Sequence, residues 1–343
     1  MSYSFEKVGV LLPAPADMPT PGPYYISIVD LKRIEGNTYD YALYFSTDHN
    51  NGEGGIWLYL CKGDPSEPSN WLSVNEAMPG EENPIYHDSV QGNGHTETPY
   101  ANIINNQVYL SYHKNGIPPS QATLLALSDD GVNFKRVNGN KDSVILQYNT
   151  TIDPGDGHTG YFRWGTNPFE KISQSYIGYS LHGGTDDYYS ALWGSDDGQS
   201  WTRLEILIPI EGQALDHPDR MIIWHELDPN SIRPLGNGEY SAICAVGNRA
   251  SGGSERIVEL YEITLAGDGC TLTRPAKKIL GVEEGFDSEE LSSPILLGDY
   301  LFYVGASQKS KLNTIMFAKK VKADTIQKRP LSLEEGCRHI WKG

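Results

Sequence analysis

The chain has 343 residues, of which 21% are charged and 38% are hydrophobic, so it can bury a core and is not a disordered sequence. Its net charge is −17, with 44 acidic against 27 basic residues, and this excludes nucleic acid as an expected partner because phosphate binding needs a basic surface. No run approaches the roughly 18 apolar residues of a membrane helix, so no membrane partner is expected either.

Strand candidates anchored by a tyrosine recur along the chain at a nearly constant interval. In chain order they are Tyr39–Thr47, Asn106–Lys114, Ser173–His182, Gly238–Gly247 and Gly298–Ser307. Their anchor tyrosines are Tyr41, Tyr109, Tyr176, Tyr240 and Tyr300, so the interval is 60 to 68 residues. Self-similarity at such a period is typical of an architecture built from repeated units.

Each anchor strand has further strand candidates on both sides. Those before it are Tyr24–Asp30, His95–Ile104, His158–Trp164, Trp224–Pro234 and Leu291–Leu297. Those after it are Gly55–Cys61, Ala122–Ser128, Tyr188–Gly194, Arg256–Thr264 and Leu312–Lys319. A polar turn and a short fourth strand follow in several units. Two of these turns, Ser128–Phe134 and Ser195–Trp201, have nearly the same sequence, resemble the Asp-box hairpins of sialidases, and are expected to be structural.

Four strands per unit, repeated five times, predict an all-β protein that is one five-bladed β-propeller over residues 1–343, with four antiparallel strands per blade. The blades are expected at about 24–72, 95–137, 158–205, 222–273 and 290–324, with a C-terminal tail at 325–343. A seven-bladed propeller would also fit the length, but only five units are visible in the sequence.

The histidines of the repeats point to one end of the predicted axis. The first strand of each blade lines that axis, so residues at its start and at the end of the second strand converge on one mouth. Six histidines fall at such positions: His49, His95, His113, His158, His182 and His225. Since histidine exchanges protons near neutral pH, the group predicts a catalytic or binding site at this mouth.

The stretch from Tyr24 to about Lys319 resembles the propeller family that includes ulvan lyases, rhamnose–glucuronate lyases and a related rhamnosidase. The motifs that carry the resemblance are Tyr41–His49 (YALYFSTDH), His95–Pro99 (HTETP), Tyr112-His113, Tyr161–Arg163 (YFR), His225–Leu227 (HEL) and Ser292–Leu296 (SSPIL). Their order and their positions in the blades match the family pattern.

This resemblance implies a polysaccharide or oligosaccharide lyase that acts by β-elimination next to a uronic acid, with His95, His113 and Tyr161 as the catalytic cluster. Histidine and tyrosine would serve as base and acid while a cation neutralises the sugar carboxylate. The arginine that the family places at the end of the third blade's second strand is replaced here by Leu181-His182, which leaves the neutralising role to His182, Arg163 or Arg249. The residues expected to bind substrate are His49, Glu97, Arg163, His182, Trp224, His225 and Arg249.

Two other functions remain open on the same scaffold. Five-bladed glycoside hydrolases of the arabinanase and xylosidase type carry carboxylates at the starts of first strands, where this chain has Glu97, Glu226, Asp228 and Asp30. The third alternative is a propeller that only binds sugar, because a fold does not determine a function. A lyase would release an unsaturated product that absorbs ultraviolet light, whereas a hydrolase would release reducing ends without that absorbance.

Cofactor and location follow from the remaining residues. The four cysteines (Cys61, Cys244, Cys270 and Cys337) are far apart and lack C-x-x-C spacing, so no zinc knuckle is indicated. No cofactor is expected to be required; scattered histidines and aspartates leave a structural Ca²⁺ open without a contiguous ligand motif. The N-terminus lacks a basic region followed by an apolar stretch, so the protein is expected to be secreted or periplasmic if a signal peptide has been removed, and cytoplasmic otherwise.

Overall fold

The computed structural model describes residues 3–15, 18, 22–47, 54–88, 96–117, 120–137, 144–146, 159–183, 188–207, 220–250, 256–285, 287–307 and 312–322. For residues 3, 115–117, 120–121, 159, 181–183, 188–189, 206–207, 220–225, 248–250, 256 and 312, this description covers the strand and not the side chain. Within the described ranges, no helix is long and apolar enough to cross a membrane.

The described chain is built from short antiparallel strands, as its content of tyrosine, valine and isoleucine favours. The strands are β1 (Tyr3–Leu12), β2 (Tyr24–Asp30), β3 (Tyr41–Ser46), β4 (Ile56–Cys61), β5 (Trp71–Ser73), β6 (Thr96–Ile104), β7 (Gln107–Ile117), β8 (Ser120–Ser128), β9 (Lys135–Arg136), β10 (Thr159–Thr166), β11 (Tyr176–Gly183), β12 (Tyr188–Ser195), β13 (Thr202–Leu207), β14 (Arg220–Gly236), β15 (Glu239–Ala250), β16 (Arg256–Ala266), β17 (Leu272–Leu280), β18 (Glu290–Leu297), β19 (Tyr300–Ser307) and β20 (Leu312–Lys322). Described helical residues are confined to α1 (Val74–Ala77) and two 3-10 turns at Leu31–Arg33 and Pro68–Asn70.

Consecutive strands pair into four-stranded units. Three units are separate sheets in the orders β2-β3-β4-β5, β6-β7-β8-β9 and β10-β11-β12-β13. The other strands form one eight-stranded sheet, in which β14 to β17 make one half and β18, β19, β20 and β1 make the other. A single parallel bridge between Val258 and Glu290 joins the two halves. Each predicted anchor segment pairs as a second strand, and the three separate sheets confirm the predicted four-stranded pattern, whereas the last two predicted units share the larger sheet.

The first strands of the units contact one another in a closed cycle. β2 packs against β6, β6 against β10, β10 against β14, β14 against β18, and β18 against β2. This arrangement, in which sheets radiate from a ring of inner strands, is that of a β-propeller. The inner strands all start at the same end of the ring, and that end is where the site described below lies.

The N-terminal strand β1, which was not predicted, completes the last unit. It pairs antiparallel with β20 along most of its length, from Tyr3 opposite Lys322 to Leu12 opposite Ile315. Lys7 also forms a buried ion pair with Asp287, with 2.8 Å between Nζ and Oδ2. Because β1 and β20 come from opposite ends of the chain, this pairing closes the cycle with hydrogen bonds.

The two near-identical turns fold back on the inner strands. Asp130 accepts hydrogen bonds from the main-chain N–H groups of Val132 and Asn133, each at 2.8 Å. Asp197 accepts equivalent bonds in the second turn, and the glycine after each aspartate has a positive φ that a side chain would disfavour. Trp201 then packs edge-on against Phe162, with 4.8 Å between ring centroids. The turns therefore have the structural role that was expected of them.

Candidate functional site

The inner strands share a distortion near their starts. Within the described residues, one non-glycine residue in each inner strand has a φ between 51° and 62°. These residues, called here the bulge residues, are Tyr25, Thr98, Tyr161, Glu226 and Ser293. At each of them the pairing with the second strand shifts register, as in a β-bulge. Left-handed backbone at such residues costs on the order of 1–3 kcal/mol each and is typical of functional sites, where it re-aims a side chain.

The side chains of four bulge residues meet in two pairs. The Tyr25 and Tyr161 hydroxyls are 2.9 Å apart, and their rings are edge-on with centroids 4.9 Å apart. Glu226 accepts hydrogen bonds from the main-chain N–H of Ser293 and, at 3.1 Å, from its hydroxyl. The first pair joins β2 to β10, and the second joins β14 to β18. The bulges therefore gather polar groups from different inner strands at one end of the ring.

A buried acid–histidine pair adjoins these contacts. Glu97 precedes Thr98 on β6 and lies directly opposite His113 on β7 in the strand register. Glu97 Oε1 is 3.0 Å from His113 Nδ1, and both side chains are almost completely buried. The His113 ring centroid is 6.4 Å from that of Tyr161. The structure thus brings together three residues that the sequence predicted for the site: Glu97, His113 and Tyr161.

The electrostatic environment of the tyrosine pair includes two carboxylates. Burial raises the pKa of Tyr25, and the nearby Tyr161, Glu97 and Glu226 raise it further. Its hydroxyl therefore stays protonated and available as a donor. Burial also raises the pKa of Glu226, an effect that the Arg163 charge and the bonds from Ser293 partly offset. Glu226 consequently holds its proton to higher pH than an exposed glutamate does.

A second polar layer lies two residues further along the inner strands. Arg163, which is buried, donates to the carbonyls of Pro294 at 2.8 Å and Ile26 at 3.3 Å. Its guanidinium also lies over the Tyr100 ring, 5.2 Å from the centroid. The Tyr100 hydroxyl donates to Asp228 at 2.8 Å, and the Leu296 N–H donates to the same carboxylate at 3.0 Å. This layer, the Arg163–Tyr100–Asp228 network, contacts all of the inner strands.

The remaining predicted carboxylates take other positions. Asp228 belongs to that network, where burial raises its pKa against the lowering effect of Arg163 and of its hydrogen bonds. Asp30 lies at the opposite end of β2, where its side chain accepts from the Lys32 N–H at 3.1 Å and caps a 3-10 turn. Of the predicted carboxylates, Glu97 and Glu226 are therefore the two beside the tyrosine pair.

For the other predicted site residues, either the whole residue or its side chain lies outside the part of the chain that the structure describes. His49 and His95 lie outside the described residues. The structure describes the strands that carry the following residues but not their side chains: His182 on β11, Trp224 and His225 on β14, and Arg249 on β15. Among the residues that are described, no group of three histidine, cysteine or acidic side chains could hold a metal ion.

Sequence reasoning missed Tyr25 and Ser293. Both occupy the repeat position of Tyr161, since each is the left-handed residue of its own inner strand. The spacing of the units only approaches this position: Tyr161 precedes its anchor Tyr176 by 15 residues (176−161), and the same spacing points to Ile26 in the first unit and His225 in the fourth, each one residue from the observed bulge residue. Without knowledge of the bulge, strict alternation of strand side chains points to Ser27 instead.

Comparison with known proteins relates this fold to carbohydrate-processing enzymes. No protein-family model and no curated protein matches the sequence. Among solved structures, an N-acetylgalactosamine deacetylase from F. plautii in complex with blood group B trisaccharide has a TM-score of 0.63 at 13% identity, over 94% of this chain and 96% of that one. A glycosyl hydrolase from Bacteroides ovatus has a TM-score of 0.61 at 11% identity, over 96% of both chains.

A third solved structure represents the GH130 family of mannoside phosphorylases, which contains hydrolases of β-1,2 mannosidic linkages. Its TM-score is 0.60 at 11% identity, over 94% of this chain and 95% of that one. At such identities the likeness shows a shared fold. It gives no support to the more specific resemblance to uronate lyases and the rhamnosidase.

Proposed function

We propose that this protein is a glycoside hydrolase whose catalytic carboxylates are Glu97 and Glu226. The observation that carries the proposal is their placement: both are buried, they lie at or directly before the bulge residue of two different inner strands, and each has a polar partner there, His113 for Glu97 and Ser293 for Glu226. Cleavage of a glycosidic bond uses two carboxyl groups with separate tasks, one protonated and one ionised. The fold shared with glycoside hydrolases is consistent with this chemistry.

The surroundings of the two carboxyls assign their roles. Glu226 is the general acid, because burial raises its pKa and keeps a proton ready for the departing glycosidic oxygen. Glu97 is assigned as the base or nucleophile, since it is the other buried carboxyl at the bulge residues and its Oε1 lies 3.0 Å from His113 Nδ1. Tyr25 remains protonated, and its hydroxyl shares a hydrogen bond with that of Tyr161 at 2.9 Å.

Matched glutamine variants test the proposal. The enzyme is incubated with a panel of aryl glycosides and with oligosaccharides, and the release of phenol and of reducing ends is followed. Glu97→Gln and Glu226→Gln are each expected to lower kcat by about 10²–10⁴-fold. Glu170→Gln, which changes an exposed glutamate beyond the other end of β10, is the control and should leave kcat unchanged. Full activity in both site variants would refute the assignment.

Product analysis completes the test. The anomeric configuration of the first product, read by NMR, distinguishes a retaining from an inverting reaction. Repeating the assay with inorganic phosphate separates hydrolysis from phosphorolysis, the reaction named for one of the structural neighbours.

The second candidate is the eliminative lyase that the sequence resemblance implied. The observation that favours it is the proximity of His113 to Tyr161, 6.4 Å between ring centroids. The guanidinium of Arg163 is bound to main-chain carbonyls, so this residue is poorly placed to neutralise a sugar carboxylate. Ultraviolet absorbance from uronate-containing polysaccharides that His113→Ala abolishes would favour the lyase. Saturable sugar binding without any product would favour a binding protein.

The proposed enzyme is a single propeller of five blades. Support comes from the repeated bulges, the closed cycle of inner strands, and the weak single bridge between the two halves of the eight-stranded sheet. Its partner is a poly- or oligosaccharide, and the proposed reaction needs no cofactor. Secretion, if a signal peptide precedes the mature chain, would fit an enzyme of polysaccharide breakdown.

A further inference from the structure

Arg163 is buried and donates to groups of the protein itself, whereas a substrate-binding arginine would present its donors to the sugar. It is 5% exposed, and its two guanidinium nitrogens donate to carbonyls on β18 and β2. A face of the guanidinium lies over the ring of Tyr100 on β6. A planar cation with several fixed donors can serve several acceptors at once, which an ammonium cannot. Arg163 therefore connects its own strand, β10, to three other inner strands.

The two carbonyls that Arg163 binds belong to residues that directly follow bulge residues. Ile26 follows Tyr25, and Pro294 follows Ser293. Ser293 in turn donates to both oxygens of Glu226. A continuous path of contacts thus runs from Arg163 through Pro294 and Ser293 to the proposed general acid. Removing the guanidinium would leave the Pro294 and Ile26 carbonyls without this donor, and each of them is one residue after a bulge residue.

Charge gives Arg163 a second effect on the same site. The ionisable groups that act on Glu226 are Arg163 from β10 and Glu290 from β18, and Tyr25 from β2 is coupled to it as well. Two of these are acids, and Arg163 is the cation. Its charge lowers the pKa of Glu226 and also that of Asp228, against the raising effect of burial.

We propose that Arg163 is a positioning residue, which holds the Ser293 and Tyr25 bulges in place and supplies buried positive charge to the layer next to Glu226. This inference rests on the proposed function of Glu226 and differs from the sequence expectation that Arg163 binds substrate. It predicts that the hydrogen bonds of Arg163 and its positive charge contribute separately to kcat.

Two substitutions separate them. Arg163→Lys keeps the charge and loses the fork that serves two carbonyls, whereas Arg163→Gln loses the charge and keeps one donor group. Arg233→Gln is the control, because Arg233 is exposed and donates to carbonyls of its own strand, β14. The pH profile of kcat is measured with the aryl glycoside that the wild type cleaves fastest.

Arg163→Gln should move the limb that belongs to Glu226 to higher pH by about one unit and lower kcat at least tenfold with little change in KM. Arg163→Lys should lower kcat while leaving that limb in place, and Arg233→Gln should match the wild type. A rise in KM with unchanged kcat and unchanged limbs in Arg163→Gln would overturn the inference and make Arg163 a substrate ligand.

A measurement without substrate keeps the inference testable if no glycoside is cleaved, an outcome that would count against the proposed function alone. Thermal unfolding is followed between about pH 5 and pH 8. The Tm loss of Arg163→Gln should grow with pH, because the uncompensated carboxyls ionise, and that of Arg163→Lys should not. If Arg163→Gln does not fold, adding Glu226→Gln should restore folding at least in part. A loss that is independent of pH, or no restoration, would overturn the inference.

Discussion

The hydroxyl of Tyr100 offers a direct test of the network beneath the bulge residues. It donates to Asp228 at 2.8 Å, in a place where both residues are buried. Tyr100→Phe removes this donor and leaves the same carboxylate oxygen with only the Asn230 N–H, at 3.1 Å. A hydrogen bond to a charged group contributes about 1.5–3 kcal/mol, so the free energy of unfolding at about pH 8 should fall by that amount.

The loss should depend on pH with a definite sign. Burial raises the pKa of Asp228 in the folded state, although Arg163 and the hydrogen bonds from Leu296 and Tyr100 oppose this. A group of this kind favours the folded state at pH values below its unfolded pKa, and that advantage is lost as pH rises through its folded pKa. Without the Tyr100 donor the folded pKa rises further, so the variant loses more stability at high pH than at low pH.

Tyr44→Phe is the matched control for this experiment. The Tyr44 hydroxyl is also buried, but it donates at 2.7 Å to the neutral carbonyl of Gly131. Its loss should cost about 0.5–1.5 kcal/mol at every pH, since no carboxylate is left behind. Urea denaturation of both variants at pH 5 and pH 8 measures the difference. Equal losses in the two variants, or a loss in Tyr100→Phe that does not grow with pH, would refute the account of Asp228 as a buried, network-held carboxylate.

Three further changes probe the fold. Asp130→Ala removes the acceptor of the first polar turn and should cost about 1–2 kcal/mol at neutral pH in urea denaturation. Because hydrogen bonds outweigh burial and lower the pKa of Asp130 to about 2, this loss should fade as pH falls from about 4 toward 2; a constant loss would contradict the role. Gly178→Ala would place a Cβ 2.4 Å from Phe162 Cε2, so it should lower stability by about 1–3 kcal/mol, and an unchanged Tm would show that the inner strand can move aside. Lys7→Met leaves Asp287 buried without its 2.8 Å partner, and hydrogen exchange should then show faster opening of β1 than of the inner strands. Uniform exchange across the last unit would argue against β1 as the closing strand.

Much of the architecture could be predicted from the sequence because the repeat is local. The anchor tyrosines and alternating apolar residues of segments such as Gln107–Ile117 and Tyr300–Ser307 report strand formation without reference to any partner. β1 escaped this reasoning because its partner, β20, is at the other end of the chain, and pairing over such a separation leaves no periodic mark.

The site was predictable only in part, for a different reason. Glu97, His113 and Tyr161 were found because they stand at strand ends that a propeller brings together. The role of Arg163 was not, since a bulge changes which side chains face the opening and which face the layer beneath. Tyr161 has the left-handed conformation, and Arg163, two residues later, donates to a carbonyl of another inner strand, β18. Composition carries no signal of that shift.

The bulge residues and the Arg163–Tyr100–Asp228 network are best understood together. Left-handed backbone at five non-glycine residues is a cumulative cost on the order of 5–15 kcal/mol, comparable to the whole stability of a domain, and Thr98 is β-branched as well. Such a cost persists only where neighbouring contacts over-determine the backbone, and the network supplies them one residue beyond Tyr25 and Ser293. We therefore expect the Arg163–Tyr100–Asp228 network to hold the proposed catalytic carboxyls in position before substrate arrives. Weakening the network should then lower kcat before it unfolds the protein, and this order of events separates a preorganised active site from a merely stable core.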